Sequence, residues 1–466
     1  MSHPLFGPEV KLMLEEKNAP GLREFCEQLH PATVAEALDE FTPEQIWEVI
    51  SQSNIRTQAS VFEYLPPAVQ VQMAETARPQ MGQLLSKMSH DDRVDLLRRL
   101  PALVKEGVMR LVDEVDRQDI AKLFQYGENT VGALMTTDYA WLPGTLTAAE
   151  AIDQLRQQAP DRETIYYIYV LDDPQRRPDG SLAPRRLLGV VSLRDIILAP
   201  RHALVRELME TDLVTLRYDE DKEAVAQLFA RYDFIAAPVV DEQFGLLGIV
   251  THDDVLDVVQ REATEDLQRQ GGVGPIEGDY LEAGFANVWY SRVKWLALLF
   301  ILQMFTINAM ASFESELKRV AFLLAFIPLC LSVGGNAGSQ AATLVIRAIA
   351  LDQIRARDWL RVVRRELLIA AALAVALGLL SVARTYFLTP DNILADVPRE
   401  QFWNLNWVVT FAVMGICLTG AVVGAALPLA IKGCGGDPAL MSAPFIATLS
   451  DVLGIVIFFS IVRAFF

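Results

Sequence analysis

The sequence predicts a multidomain chain in three parts. An all-α superhelical region covers residues 1–130 and an α/β region made of two tandem copies covers 131–260. An acidic linker helix at 261–285 then leads to an α-helical membrane domain of five spans over 286–466. Three observations carry this reading. Helix-start signals recur at short, regular spacing near the N-terminus. A longer motif occurs twice in the middle. Long apolar runs fill the last third of the chain.

In the first region, Phe41-Thr-Pro-Glu-Gln, Leu65-Pro-Pro-Ala-Val and Met88-Ser-His-Asp-Asp open alike, 24 and 23 residues apart. Each sets proline or a capping residue ahead of an apolar-periodic stretch. A period of that size suggests stacked short helices. In the second region, Leu134-Met135-Thr-Thr-Asp138 returns as Leu208-Met209-Glu-Thr-Asp212. A helix follows each time, then a β-rich run, Ile165–Val170 or Ala237–Val240. The copies close on Gly189-Val-Val-Ser192-Leu-Arg-Asp195 and Gly248-Ile-Val-Thr251-His-Asp-Asp254. The first copy also carries a polar insertion at 172–180. This pattern resembles a tandem pair of CBS domains over the whole region. In that family the Ser/Thr and Asp often hold an adenine nucleotide, so the resemblance implies an ATP-type site. A helix N-terminus offers free N–H groups to phosphate, and a carboxylate accepts from ribose hydroxyls. Simple capping by Ser192 and Thr251 explains the same residues without a ligand.

Charge is divided as sharply as hydropathy. Residues 1–285 hold 49 acidic against 27 basic side chains and the remainder 10 against 14. Such an acidic front part repels nucleic acid and anionic surfaces and attracts cations; a plain soluble surface is the simpler alternative. The N-terminus shows no apolar h-region, so no signal peptide is expected. Cys26, Cys330, Cys417 and Cys434 lie at no C-x-x-C spacing, which predicts neither disulfides nor a thiolate metal site.

Spans of about 20 apolar residues are predicted near 292–312, 319–346, 367–388, 405–431 and 439–465. Arg347, Arg355, Arg357, Arg361, Arg364 and Arg365 fill the loop after the second span. Asp391, Asp396 and Glu400, with Arg399, mark the loop after the third. The positive-inside rule puts the first of these loops in the cytoplasm. The N-terminal 285 residues are then cytoplasmic and the C-terminus external, in a cell membrane.

Within the bilayer, Asp451 is an ionisable group near the middle of the fifth span, where it is costly unless it faces water or a partner. Thr448, Ala447 and Pro444 share its stripe. The second span carries Gly334-Gly-Asn-Ala-Gly-Ser-Gln340, with Asn336, Gln340 and Thr343 on one face. Those groups either offer oxygens to an ion's water shell or bond helix to helix. Asp437, followed by Pro438, is expected to begin the fifth span at the cytoplasmic edge, capping it or drawing cations to its mouth. One Asp does not neutralise a divalent ion, and two chains on a twofold axis supply two.

The order of helical repeat, tandem CBS pair, acidic linker and five spans resembles the MgtE family of magnesium channels. So do the runs GGNAGSQAATLVIRAIA, Asp437-Pro-Ala-Leu and Ala447-Thr-Leu-Ser-Asp-Val452. The resemblance implies a homodimer with its pore at the subunit interface. Asp451 would hold hydrated Mg2+, with Asn336, Thr448 and Asp437 contributing along the path. It also implies a cytoplasmic Mg2+ sensor: Asp91 and Asp95 facing Asp221, Glu223, Asp233 and Asp254, with Glu262, Glu265 and Asp266 on a linker that plugs the pore. Tyr167, Ser192, Arg194, Asp195 and Phe234 match positions near the family's ATP site. Some members have Asn in place of Ala443 and GGNTGNQ in place of GGNAGSQ, so polar groups near the path differ here. Two rival functions share the features: an ion-coupled carrier for Mg2+ or Co2+, and a membrane-tethered nucleotide sensor that moves no ion. No Walker A, H-E-x-x-H or Ser-His-Asp pattern supports an enzyme.

Overall fold

The computed structural model describes residues 6–76, 79–173, 184–276, 280, 283–319, 321–387 and 402–466. The polar insertion beyond residue 173 and the acidic loop at 391–400 therefore lie outside the described residues. Two compact units are present, Met1–Gln260 and Arg261–Phe466.

The first unit begins with short helices whose starts follow the sequence signals. Pro43–Ile50, Pro67–Glu75 and His90–Arg99 open at the three repeated motifs. Thr42 and Gln45 form a reciprocal capping box, and Asn18 and Asn54 cap two further helices, which satisfies amides a helix start leaves unpaired. The helices are only two to three turns long and draw their stability from a shared apolar core. Val34, Leu38, Ile46, Phe62, Leu84 and Leu97 are all fully buried in it.

Among the described residues, six strands follow in two small mixed sheets. One is β1 (Tyr139–Pro143), β2 (Thr164–Leu171) and β3 (Leu187–Ser192); the other is β4 (Leu216–Arg217), β5 (Ala236–Val240) and β6 (Leu246–Thr251). The first pair in each sheet is parallel and the second antiparallel. The two copies exchange their leading segments. Thr136 trades backbone hydrogen bonds with Ile249 of β6 (2.8 and 2.9 Å), while Glu210 trades them with Val190 of β3 (2.8 and 3.0 Å). The glycine that opens each closing motif makes this possible. A Cβ on Gly189 would lie 2.7 Å from the Glu210 carbonyl oxygen, and one on Gly248 would lie 2.6 Å from that of Thr136.

Five helices of the described residues are long and apolar enough to cross a membrane: Phe285–Ala311, Leu323–Ala350, Ala356–Arg384, Trp403–Gly433 and Ala443–Phe465. The second and fourth cross at nearly backbone-to-backbone distance. A Cβ on Gly420 would fall 2.3 Å from the Gly334 carbonyl oxygen, and one on Gly424 would fall 2.1 Å from that of Gly338. The glycines of GGNAGSQ thus serve helix packing. The polar residues of the same span, Ser332, Asn336, Gln340 and Thr343, lie on its exposed side.

Asp437 does not begin the fifth span, contrary to the sequence expectation. It caps a separate three-residue turn, Pro438–Leu440, by accepting from the Ala439 N–H at 2.8 Å. The span starts at Ala443 behind its own cap, Ser442, whose hydroxyl accepts from the Phe445 N–H. Two prolines explain the break. Pro438 fits the first position of the turn, and Pro444 fits the first turn of the span, where no amide partner is needed.

Candidate functional site: carboxylates at the span, the linker and the cytosolic junction

In the membrane unit, Asp451 lies half-buried on the fifth span and accepts a long hydrogen bond, 3.5 Å, from the Gln303 amide of the first. No basic side chain pairs with it among the described residues. Asn336 donates to the Ser332 hydroxyl at 3.4 Å, and the Thr448 hydroxyl donates to the Pro444 carbonyl at 2.9 Å. Neither is hydrogen-bonded to Asp451. The Asp451 carboxylate thus has one weak, neutral hydrogen-bond partner and lone pairs to spare.

The linker helix ends at the base of the same unit. It belongs to the helix His252–Gln270 and carries Glu262, Glu265 and Asp266. Arg269 joins it to the membrane helices, its guanidinium donating to both Glu265 and Asp437. Burial raises the Asp266 carboxyl, and the Asp437 and Glu262 charges add to the effect. The chain then turns at Gly272, whose φ of +72° suits glycine. The Trp295 ring packs over it: a Cβ at Gly272 would meet the ring at 2.5 Å. The Trp295 indole N–H donates to Ser442, the cap of the fifth span, at 2.9 Å. One chain of contacts therefore links the linker's end to the start of the helix that bears Asp451. Arg269 was absent from the sequence expectation, because a single cation in an acidic stretch reads as a solvated charge.

In the cytosolic unit, the helix His90–Arg99 faces the start of the helix that follows β6. Asp91 and Asp254 stand close enough for each to perturb the other's ionisation. Burial pushes Asp91 well above the usual carboxylate range, with Asp254 and Asp92 adding to it. Asp254 rises to about 6, again by burial, although bonds from Asp91 and the Thr251 hydroxyl (2.5 Å) oppose the rise. Three further carboxylates that sequence reasoning missed belong here. Burial lifts Glu63 to about 8, against the Ser89 N–H it accepts at 2.7 Å; Asp92 and Glu163 raise it further. Glu163 rises to about 7, by burial and then by Asp91, Asp253 and Asp138. Asp92 is raised as well, by burial, despite the Ser89 hydroxyl it accepts at 3.0 Å. Beside them His90 bonds to Thr137 and Asp138.

Of the other expected sensor residues, Asp95 lies beside Asp92 and adds to its rise, and the rest make local contacts. Asp95 pairs with Arg99 at 3.9 Å. Asp221 caps the helix Lys222–Tyr232 through the Glu223 N–H at 2.8 Å, and Asp233 ends that helix with a left-handed φ of 53°. Among the described residues no group of three or more His, Cys, Asp or Glu side chains is arranged to hold a metal ion. The junction is a crowd of oxygens without a finished cage.

Four of the five residues expected at the nucleotide site lie around one helix start. Tyr167 of β2 stands opposite Ser192 of β3. The Ser192 hydroxyl accepts the Asp195 N–H at 3.0 Å and donates to its carboxylate at 2.5 Å, with Arg194 exposed on the same turn. Phe234 packs edge-on to Phe229 and stacks on Tyr232 at 5.3 Å.

Three comparisons bear on these sites. A family model described as "MgtE: Divalent cation transporter" matches residues 327–461, the "MgtE intracellular N domain" matches 29–129, and the CBS domain matches 131–202 and 205–261. The magnesium transporter MgtE of Thermus thermophilus is 38% identical over 97% of this chain and 96% of its own length. A solved structure described as the soluble part of a magnesium transporter is 28% identical with a TM-score of 0.51, covering 55% of this chain and 98% of its own. A second, the cytosolic domain of the Mg2+ channel MgtE in complex with ATP, is 37% identical with a TM-score of 0.48, covering 54% and 99%.

Proposed function

We propose, for a chain that belongs to the MgtE family of divalent cation transporters, that it conducts Mg2+ through a channel gated by its own cytosolic carboxylates. The observation that carries the proposal is Asp451: a carboxylate on a membrane span whose neighbour is the neutral Gln303. Mg2+ gives up its inner waters reluctantly, so a lone carboxylate among small residues suits the hydrated ion. One such charge falls short of neutralising a divalent cation. A second copy of the chain, related by a twofold axis, supplies the other. The polar face of the second span, with Ser332, Asn336, Gln340 and Thr343 exposed, has the chemistry to line such a shared path. The cytosolic part lies inside the cell, as an intracellular N domain does, and five crossings then leave the C-terminus outside.

Gating follows from charge. Asp91, Asp92, Asp254, Glu63 and Glu163 are all raised above their ordinary values, so crowding them as anions is unfavourable. Oxygen donors in excess of charge compensation fit a hard divalent cation, which would have to draw Asp91, Asp254 and Glu63 into a donor set that their present arrangement does not form. A cation that binds the compact arrangement better than the spread one shifts the population toward it. Through the linker and Arg269, that arrangement bears on the mouth of the path at Asp437. At the Ser192–Asp195 turn, a helix N-terminus with a carboxylate three residues after the cap suits an adenine nucleotide.

Radioactive Mg2+ uptake into proteoliposomes tests the central claim. Asp451→Ala loses at least tenfold of the flux while remaining folded and dimeric by light scattering. Undiminished uptake by this variant removes Asp451 from the path. A requirement for a Na+ or proton gradient replaces the channel by a coupled carrier.

A further inference from the structure

We propose that the cytosolic start of the third span holds the headgroup of an anionic phospholipid. Arg357, Asp358, Leu360, Arg361 and Arg364 line an open recess of about 370 Å³ there. The three arginines fall at i, i+4 and i+7, on one helical face. Charge balance around the recess is incomplete in a specific way. The Asp358 carboxylate is already used: it accepts the Arg355 N–H at 3.1 Å and the Arg361 guanidinium at 3.2 Å. The neighbouring Arg355 is satisfied by Asp352 at 2.9 and 3.2 Å. Arg357 and Arg364 have no carboxylate partner among the described residues. Two guanidinium forks thus converge on a space large enough for an oxyanion, and guanidinium matches phosphate oxygens two at a time.

The surroundings decide which anion. Trp359 and Leu360 stand beside the recess with 56% and 64% of their surface exposed, and exposed Leu367 and Leu368 continue down the helix. This helix runs on as one of the five candidate spans, with a mean hydropathy of 2.3. A tryptophan, a basic cluster and an apolar helix in sequence mark the level where headgroup meets acyl chain. The ligand that satisfies all three is a phosphodiester carrying hydrocarbon, an anionic lipid, rather than free phosphate.

The full chain, purified in mild detergent, is titrated with phosphatidylglycerol, with phosphatidylcholine or with inorganic phosphate. Bound lipid is counted by native mass spectrometry and the melting temperature is followed. Wild type retains phosphatidylglycerol over phosphatidylcholine and melts higher with it. R357Q/R364Q binds it about thirtyfold more weakly, the loss expected for two arginines near a lipid surface. R355Q, removing an arginine already held by Asp352, behaves as wild type, and R357K/R364K keeps much of the binding. Should R357Q/R364Q not stay monodisperse, R364Q carries the comparison. Equal lipid retention by the Gln variants overturns the proposal, and so does equal loss in R355Q. Stabilisation by phosphate that matches phosphatidylglycerol assigns the recess to free oxyanions and overturns the lipid.

Discussion

Replacing Glu63 by glutamine should stabilise the cytosolic unit at high pH when divalent cations are absent. The Glu63 carboxyl stands at about 8, lifted from 4.5 mainly by burial. A group whose folded pKa exceeds its unfolded one contributes full stability below the unfolded value. That stability is lost as pH rises through the folded value. For Glu63 the window runs from about pH 4.5 to about pH 8. At about 1.4 kcal/mol per unit the full cost of ionisation approaches 5 kcal/mol; solvent screening of a partly exposed carboxyl reduces this to about 2 kcal/mol. Gln keeps an acceptor for the Ser89 N–H and cannot ionise. In a unit of this size 1 kcal/mol moves the melting temperature by about 2–4 °C. Glu63→Gln should therefore raise it by roughly 4–8 °C at pH 9 in chelator and leave it nearly unchanged at pH 5. Millimolar Mg2+ should narrow the gap at pH 9 by stabilising wild type. Thermal scans of the cytosolic fragment at the two pH values measure this. A variant that melts below wild type at pH 9, or a gap that Mg2+ leaves intact, refutes the account of the junction as charges awaiting a cation.

Three further outcomes follow from the geometry. Arg269→Ala removes the guanidinium shared by Glu265 and Asp437, so the cytosolic Mg2+ that halves uptake should shift at least severalfold; an unchanged dose curve means the contact has no part in gating. Asp195→Ala should weaken ATP binding to the cytosolic part by about tenfold in calorimetry through loss of a ribose acceptor, and equal heats in both proteins would leave Ser192 and Asp195 as a plain cap. Gly424→Val would drive methyl groups into the Gly338 backbone, so the full chain should melt several degrees lower or fail to assemble; wild-type stability would contradict the close crossing of the two spans.

The repeated motifs were enough to reveal the CBS pair, because strand, cap and helix follow one another locally. The five spans were legible for the same reason: hydropathy over 20 residues needs no tertiary partner. Their ends were less so, since Asp437 followed by Pro438 reads as a helix start whether or not a second proline restarts the helix six residues later. The cytosolic carboxylates were half legible. Asp91 and Asp254 sit at helix starts that the sequence marks. Glu63 ends one helix and Glu163 immediately precedes a strand, and only folding brings both beside Asp91. Arg269 was hidden for the opposite reason, being one charge whose partner lies 168 residues away.

The traded backbone bonds between Thr136 and Ile249, and between Glu210 and Val190, make the two CBS copies mutual debtors. Neither copy finishes its own sheet, because the strand edge of each is closed by the opening segment of the other. Half of the pair, cut near residue 203, would expose a bare edge with unpaired amides, the kind that recruits other chains. The pair should therefore fold and unfold as one object. A ligand seated at either closing turn pulls on backbone that belongs to both.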